Sequence, residues 1–371
     1  MSDAKIQVET LTSLSQLTEK EAMWSALLRE VGGDTLHVSV PWLRCWWDAF
    51  GGEARLCCLI AREGDTLVGI APMMIEARRI GPLTIPVLRL IGNDLSPRSH
   101  VVFRHRSGEV WRAFVQELIQ WPWTVMEVGQ VPEDCEVLSL PAQQMPRGLS
   151  SMQRRHTFSV PRVSFDGSWE EFLRGKSQNF RRSLRRTGGK NIGTVVKCFP
   201  DDGDSFDTLI GDVRAISQET WKQMQGTSLA ADERSFQFYE RMMAAAHAQG
   251  NLLVTLLYDA EVPVAFKIFI AHHDLLYGLK TGYRLSHAEA APGFHLMAAA
   301  IQMGFETHRW RQLDMDTATS HGDWKYRWAT YSTSVVSYYV FRSSCVSKLL
   351  ECVYRLKKRV VPDPPVTAGT S

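Results

Sequence analysis

Apolar and polar residues alternate along the chain in two patterns, one helical and one strand-like, and the two patterns recur in a similar order in each half. Residues 12–50 have helical spacing, and Pro41 opens the second of two predicted helices, Val40–Phe50. Two strands, Arg55–Arg62 and Thr66–Ile75, are predicted around an acidic turn. The rest of this half predicts an irregular strand region broken by Pro82, Pro86 and Pro97, a helix at Val110–Gln120, and strands at Thr124–Val128 and Glu136–Leu140.

Residues 141–167 are rich in Pro, Gln, Arg and Ser and predict a connector. A helix then begins at Ser168, because Ser168 and Glu171 form an S-x-x-E capping box, and it is predicted to end at Gly188-Gly189. The later predicted elements are helices at Gly211–Met224, Asp232–Gln249 and Pro292–Thr307, and strands at Leu252–Tyr258, Val262–Ala271, Leu275–Tyr283, Gln312–Asp316 and Val335–Phe341.

The two halves share a strand pair around an acidic turn, which begins at Leu59 in the first half and at Thr255 in the second. A chain of 371 residues is long enough for two domains. The order of elements predicts an α/β (α+β) fold in which each domain is a mixed β-sheet flanked by helices. The predicted domains are residues 1–145 and 146–342, followed by an amphipathic helix at 343–361 and a disordered tail at 362–371.

Composition narrows the function classes. The 42 basic and 40 acidic residues leave a net charge of +2, which argues against dedicated nucleic-acid binding. Seven cysteines are scattered without a C-x-x-C pair or zinc-ligand spacing, which favours a reducing compartment and no metal. The sequence shows no signal peptide and no apolar run of about 18 residues. We therefore expect a cytoplasmic protein.

Several local sequences resemble one enzyme family. The segment HVSVPWLRCWWDAFGG, the Pro292-Gly293 pair before a helix, LDMD, and GDWKYRW occur in an order similar to that of the CelD/BcsL-type acetyltransferases of the GNAT superfamily. These acetyltransferases are named for cellulose biosynthesis. The aromatic-lysine element of GDWKYRW also resembles the Fem-type aminoacyltransferases, which carry two GNAT-like halves. The resemblance covers most of residues 35–342.

The resemblance implies an N-acyltransferase with two tandem GNAT-like domains that uses acyl-CoA, either acetyl-CoA or a longer thioester. The C-terminal domain would bind acyl-CoA and catalyse the reaction, while the N-terminal domain would shape the acceptor site. The acceptor would be an amino group of an envelope or exopolysaccharide precursor. Two alternatives stay open: a long-chain amino-alcohol acceptor that gives a ceramide-like product, and a non-catalytic nucleotide-binding regulator of polysaccharide export.

The segment from Ala291 to His295 lies where a loop meets a predicted helix. Free N–H groups and the helix dipole bind phosphate at such a helix start, so Pro292, Gly293, Phe294 and His295 are candidates for the CoA pyrophosphate site. The alternative is that Pro292 only starts the helix.

Four residues are candidates for catalysis. Asp314 and Asp316 lie two apart on a predicted strand, so they share one face and would raise each other's pKa, as a general base requires. Alternatively, one caps the next loop and the other pairs with Arg309 or Arg311. Tyr283 would protonate the leaving thiolate or be a core tyrosine. By resemblance, Lys325 stabilises charge near the reacting centre; the resemblance does not choose between the two aspartates.

Two basic helices have alternative interpretations. The predicted helix that begins at Ser168 carries four arginines, Arg181, Arg182, Arg185 and Arg186. Of these, Arg181 and Arg185 are candidate contacts for CoA phosphates. A phosphorylated acceptor, an anionic lipid, or a simple solvated face would also explain this run. Residues 343–361 predict an amphipathic helix that either docks on the domain or contacts the inner membrane surface peripherally.

Overall fold

The computed structural model of the protein describes residues 5–96, 98–133, 147–190, 194–202, 205–220, 229, 232–318 and 324–360. It divides into two compact units, one of Met1–Phe158 with Ser334–Ser371 and one of Ser159–Thr333. Both units consist of mixed β-sheet and helices, which confirms the predicted fold class. The predicted strand Glu136–Leu140 and the predicted disordered tail lie outside the described residues.

The helices and strands are numbered here in chain order. The described helices are α1 (Leu14–Glu19), α2 (Glu21–Val31), α3 (Val40–Phe50), α4 (Ser107–Leu118), α5 (Trp169–Arg174), α6 (Gln178–Lys190), α7 (Phe206–Gln218), α8 (Glu233–Ala248), α9 (Pro292–Thr307) and α10 (Cys345–Val360). The strands are β1 (Ile6–Leu11), β2 (Arg55–Leu56), β3 (Cys58–Glu63), β4 (Thr66–Ala71), β5 (Met73–Ile80), β6 (Leu83–Leu90), β7 (Val102–Phe103), β8 (Val125–Pro132), β9 (Leu149–Ser164), β10 (Thr194–Phe199), β11 (Leu252–Asp259), β12 (Val262–His272), β13 (Leu275–Tyr283), β14 (Gln312–Asp314) and β15 (Tyr331–Arg342).

The first unit contains strands in the order β1-β3-β4-β7 and strands in the order β15-β8-β6-β5-β2. The predicted pair around the acidic turn is confirmed, because β3 and β4 pair antiparallel from Leu59–Ala71 to Glu63–Thr66. Within the predicted irregular strand region, residues 83–90 form strand β6, but Pro86 does not break it, since β6 pairs with β5 over its whole length. Pro86 fits this strand because proline removes only an N–H, and its carbonyl accepts the Thr124 N–H at 2.9 Å.

The end of the chain belongs to the first unit from Ser334 onward, although the predicted C-terminal domain ran to residue 342. Leu350 and Tyr354 of α10 pack against a cluster that includes Ile85, Val125 and Phe341. This packing explains why β15 and α10 lie with the first unit. The functional roles assigned to residues 1–145 and 146–342 stay predictions.

The second unit contains strands in the order β10-β11-β12-β13-β14-β9, of which β13 and β14 are parallel and the other pairs antiparallel. Helices α7, α8 and α9 pack on strands β11 to β13. The second predicted strand pair is confirmed as β11 and β12. The core of this unit includes Phe269 of β12, Met297 and Phe305 of α9, and Trp328, all buried.

The predicted connector at residues 141–167 is wrong where the structure describes it, because residues 149–164 form β9. Its apolar residues Val160 and Val163 are buried, and its polar Arg162 is also buried because it pairs with Asp314 of the adjacent strand β14. An ion pair therefore lets a polar-looking segment occupy an inner position of the sheet.

The single helix predicted from Ser168 consists of two helices, α5 and α6, and α6 continues through Gly188-Gly189. The capping box is confirmed, with the Glu171 N–H donating to Ser168 Oγ at 3.2 Å and the Ser168 N–H to Glu171 Oε2 at 3.0 Å. Between the two helices, Arg181 Nη1 donates to the carbonyls of Leu173, Arg174 and Lys176 at 3.2, 3.1 and 2.8 Å. These bonds cap the end of α5.

Candidate active site

The parallel pairing of β13 and β14 ends part of the way along β13, because β14 is shorter. They pair only from Leu275–Gln312 to Tyr277–Asp314, where β14 ends, while β13 continues to Tyr283. A Cβ atom at Gly278 would lie 3.5 Å from the Asp314 carbonyl oxygen, so the two strands are still in contact there. Beyond this point β13 has no strand partner on the β14 side among the described residues. We call the end of this pairing the strand gap.

Helix α9 begins beside the part of β13 that continues past the strand gap. A Cβ atom at Gly293 would lie 3.6 Å from Thr281 Oγ1 and 3.9 Å from Tyr283 Cδ1. The N–H groups of Phe294 and His295 donate to the Ala291 carbonyl at 3.0 and 3.2 Å. Two of the three N–H groups predicted for pyrophosphate binding therefore already have an acceptor. The Gly293 N–H, at the second helical position, comes before the first helical bond.

The side chains of Phe294 and His295, two of the residues predicted to bind pyrophosphate, have structural roles. The Phe294 ring lies 4.5 Å from the Trp328 ring, and Phe180 of α6 meets Trp328 edge-on at 4.9 Å. These three rings fix the first turn of α9 to the segment that contains Lys325. His295 is half-buried, and burial lowers its pKa, which favours a neutral imidazole at neutral pH.

Asp314 is completely buried and pairs with Arg162 Nη2 at 3.0 Å. Its Oδ1 also accepts the Asp316 N–H at 2.8 Å. The alternative interpretation gave loop capping to one aspartate and ion pairing to the other. In the structure Asp314 does both. The predicted arginine partners pair elsewhere, Arg309 with Asp201 and Arg311 with Asp274, each at 3.4 Å.

Asp316 is not on the same strand face as Asp314, so that prediction is wrong. Strand β14 ends at Asp314, and Asp316 has a φ of +64°. Its Oδ1 accepts the Thr317 N–H at 2.7 Å, and its side chain is half-buried. Such left-handed backbone is uncommon outside glycine and concentrates at functional sites. Of the two aspartates, Asp316 is the one with a partly accessible carboxylate.

Lys325 lies in a 3-10 turn, Trp324–Arg327, and its Nζ donates to the Thr317 carbonyl at 2.6 Å. It thus holds the residue that follows Asp316. On the far side of this turn, Lys176 Nζ donates to the carbonyls of Trp328 and Ala329 at 2.6 and 2.7 Å. Burial lowers the pKa of Lys176 to about 8. Two lysines therefore fix the turn from both ends.

Sequence reasoning missed three polar residues around this region. Tyr239 of α8 is buried, and its pKa is raised mainly by burial and further by the negative charge of Asp316. Lys280 of β13 has its Nζ 5.7 Å from the Tyr239 ring centre. Lys267 is buried on β12, with its Nζ 5.3 Å from the Trp324 ring centre. For Lys267 the sequence did contain a signal, since a lysine within the apolar run VPVAFKIFIA is unusual and indicates a buried charge.

The remaining predicted residues divide between core and surface. Tyr283 packs against a cluster of Leu257, Val264, Ala265 and Leu296 but is only half-buried, so part of this tyrosine stays accessible. The Arg181 guanidinium caps α5, whereas Arg185 is exposed on α6. Arg185 is therefore the member of this pair that solvent and a dissolved phosphate can reach.

The described residues contain no group of three or more His, Cys, Asp or Glu side chains placed to hold a metal ion.

Across the described portion of the chain, every helix is too short or too polar to cross a bilayer.

Comparison with known proteins bears on the fold and on the class of enzyme. Residues 174–326 match the family described as an acetyltransferase (GNAT) domain. No curated protein matches the chain in sequence. The crystal structure of FemX is similar over 94% of this chain and 99% of its own, with a TM-score of 0.59 and 11% identity.

Two further structures have the same fold. The C-terminal domain of a putative lysylphosphatidylglycerol synthetase from Agrobacterium fabrum is 10% identical over 91% of this chain and 96% of its own, with a TM-score of 0.53. The L-PGS structure from Bacillus licheniformis is 14% identical over 90% and 96%, with a TM-score of 0.50. Residues 174–326 are thus similar to a GNAT acetyltransferase domain, and the protein is an acyltransferase.

Proposed function

We propose that the protein transfers an acyl group from acyl-CoA to an amino group of an envelope or exopolysaccharide precursor, and that the reaction takes place at the strand gap. The observation that carries the proposal is the end of the pairing between β13 and β14, beside the start of α9. In this proposal the acyl thioester lies along the part of β13 that extends past the end of β14, and its pyrophosphate lies at the N-terminus of α9. The residues that match the GNAT family include all of these elements.

In this proposal the amine nitrogen attacks the thioester carbonyl, a C–N bond forms, and the C–S bond breaks. Asp316 accepts the proton that the amine loses, because its carboxylate is partly accessible. Lys325 positions Asp316 through the Thr317 carbonyl and adds positive charge near the reacting carbonyl oxygen. Tyr283, which borders the start of α9, protonates the departing thiolate. Asp314 supports this arrangement through its bond to the Asp316 N–H.

Replacing Gly293 by aspartate should weaken acyl-CoA binding by about tenfold or more, because a carboxylate would face the pyrophosphate at close range. The expected loss appears in donor affinity first, with acceptor binding largely unchanged. Isothermal titration calorimetry with acetyl-CoA and with a long-chain acyl-CoA would measure it. The chain-length preference from the same titrations would indicate which acyl group is used.

Two controls separate charge from shape. Gly293→Ala should bind acyl-CoA almost normally, because the added Cβ would make only ordinary contacts, at 3.6 and 3.9 Å. Gly211→Asp adds the same charge to an exposed position of α7 where nothing lies within 4 Å, and it should have no effect. Unchanged donor affinity in Gly293→Asp would mean that the pyrophosphate site lies elsewhere.

One observation favours a second acceptor class, a long-chain amino-alcohol. Helix α10 docks through Ser347, Leu350 and Tyr354, while an apolar stripe on its other side is exposed. The stripe consists of Val346, Leu349, Val353 and Leu356, which are 48%, 63%, 42% and 60% exposed. The helix also carries five basic residues and one acidic residue. A basic helix with an apolar face suits an anionic membrane surface, where a lipid acceptor would be found.

The protein should therefore bind vesicles that contain anionic phospholipid, and Leu349→Glu with Leu356→Glu should reduce that binding by about tenfold or more, since both the apolar contact and the charge balance are lost. Vesicle co-sedimentation at low and high salt would measure it. Val31→Glu, at an apolar site of α2 that is 42% exposed, is the matched control and should bind like the unaltered protein. Equal binding by the double variant and the control would contradict membrane contact through α10.

A further inference from the structure

The first unit contains a small polar cleft of about 140 Å³ that neither the GNAT match nor the proposed reaction uses. It lies between the start of the irregular segment that follows β6 and the end of strand β8. A volume of this size is close to that of a cavity that holds one benzene ring, about 150 Å³. The cleft therefore has room for a single six-membered ring.

Two buried side-chain contacts hold the irregular segment beside the cleft in place. Ser96 Oγ accepts the Trp42 Nε1–H at 2.6 Å, and the buried Arg98 pairs with Asp34 at 2.6 Å. A Cβ atom at Gly92 would lie 2.4 Å from the Ser96 carbonyl oxygen, so this turn accepts only glycine without rearrangement. A built and buried loop of this kind holds its polar groups in fixed positions.

Three buried polar atoms of the lining residues lack a hydrogen-bond partner: Arg89 Nε, which lies 3.6 Å from a Glu76 carboxylate oxygen, and two uncharged oxygen atoms. Ser99 is only 2% exposed, and its Oγ is buried without a partner. Gln130 Oε1 is likewise buried and unpaired. Leaving such groups without partners costs about 1–3 kcal/mol each. A ligand that bonds to both oxygen atoms would recover this loss, so they indicate a binding function.

The other lining groups define the chemistry of the ligand. Asp94 supplies a carboxylate and Asn93 an amide, while Arg89, which already donates to the Gly92 carbonyl, and Glu127, which already pairs with Arg78 at 2.6 Å, can each make further hydrogen bonds. Two carboxylates disfavour a phosphate or another anion, and the polar lining disfavours a hydrocarbon ring. A ring that presents several hydroxyl groups matches alternating donors and acceptors. We propose that this cleft binds one sugar ring.

This inference does not depend on the proposed acyl transfer, because sugar binding is measured without acyl-CoA. The probes are glucose, glucosamine and N-acetylglucosamine, added to the whole protein and followed by saturation-transfer NMR and calorimetry. Cyclohexanol tests a ring of equal size with one hydroxyl, and ethanolamine tests an amine without a ring. We expect millimolar binding of at least one sugar and weaker binding of both comparison compounds.

Ser99→Ala and Gln130→Leu should each weaken sugar binding by about fivefold, the effect of one lost hydrogen bond. Asp65→Ala changes an exposed residue in the β3–β4 turn of the same unit and should leave binding unchanged. Unchanged near-UV circular dichroism and thermal unfolding of both cleft variants would show that they are folded. The proposal is overturned if no sugar binds at about 50 mM, if both cleft variants bind sugar normally, or if ethanolamine or cyclohexanol binds as tightly as the sugars.

Discussion

Replacing Asp314 by alanine should lower the free energy of unfolding by about 3–5 kcal/mol, because it leaves Arg162 as a buried charge without its partner. The ion pair is 3.0 Å long, with Asp314 fully buried and Arg162 11% exposed. The same substitution removes the acceptor of the Asp316 N–H, so any activity that survives should also fall. Urea unfolding followed by tryptophan fluorescence would measure the loss.

A neighbouring ion pair provides the control. Asp274 pairs with Arg311 at 3.4 Å, and the two side chains are 45% and 80% exposed. Asp274→Ala should therefore change the unfolding free energy by no more than about 1 kcal/mol. An Asp314→Ala protein that is as stable as Asp274→Ala would contradict the expected stabilisation by the buried ion pair.

Replacing Lys325 by alanine should reduce turnover by roughly 10²-fold while the protein stays folded, as expected when one stabilising charge is lost from an active site. The structure adds a second reason, since Lys325 Nζ holds the Thr317 carbonyl next to Asp316. Steady-state kinetics of acyl transfer, with near-UV circular dichroism to confirm folding, would test this. Lys325→Arg keeps the charge and should retain more activity than Lys325→Ala.

The matched control for Lys325 is Lys190, which also donates from its Nζ to a backbone carbonyl, that of Glu289, at 2.7 Å, but on an exposed surface. Lys190→Ala should have normal turnover. A folded Lys325→Ala protein with the same turnover as Lys190→Ala would rule out a catalytic or positioning role for Lys325.

Local signals in the sequence were sufficient for many elements. Helices α3 and α9 begin and end where they were predicted, because each starts with proline at an early helical position and carries an apolar face. The strand pairs β3–β4 and β11–β12 followed from short apolar runs on either side of acidic turns. Such signals depend only on neighbouring residues, so one sequence is enough to read them.

The parts of the site that the sequence did not predict depend on residues far apart in the chain. The partner of Asp314 is Arg162, which lies in a segment whose polar composition predicted a connector. The prediction that Asp314 and Asp316 share a strand face was wrong, because the strand ends at Asp314, whose side chain accepts a hydrogen bond from the Asp316 N–H. The position of Tyr239 near Asp316 could not be predicted, because their helix and loop meet only in the folded unit.

The pairing of β9 with β14 has a consequence for anyone who wishes to isolate the acyltransferase domain. A fragment cut to residues 174–326, the span of the family match, would lack Arg162 and so remove the arginine that pairs with the buried Asp314 carboxylate. It would also lack Phe165, whose ring lies so close to Gly304 that a Cβ atom there would be 2.3 Å away. A self-sufficient fragment therefore has to begin no later than Ser159, where the second compact unit begins.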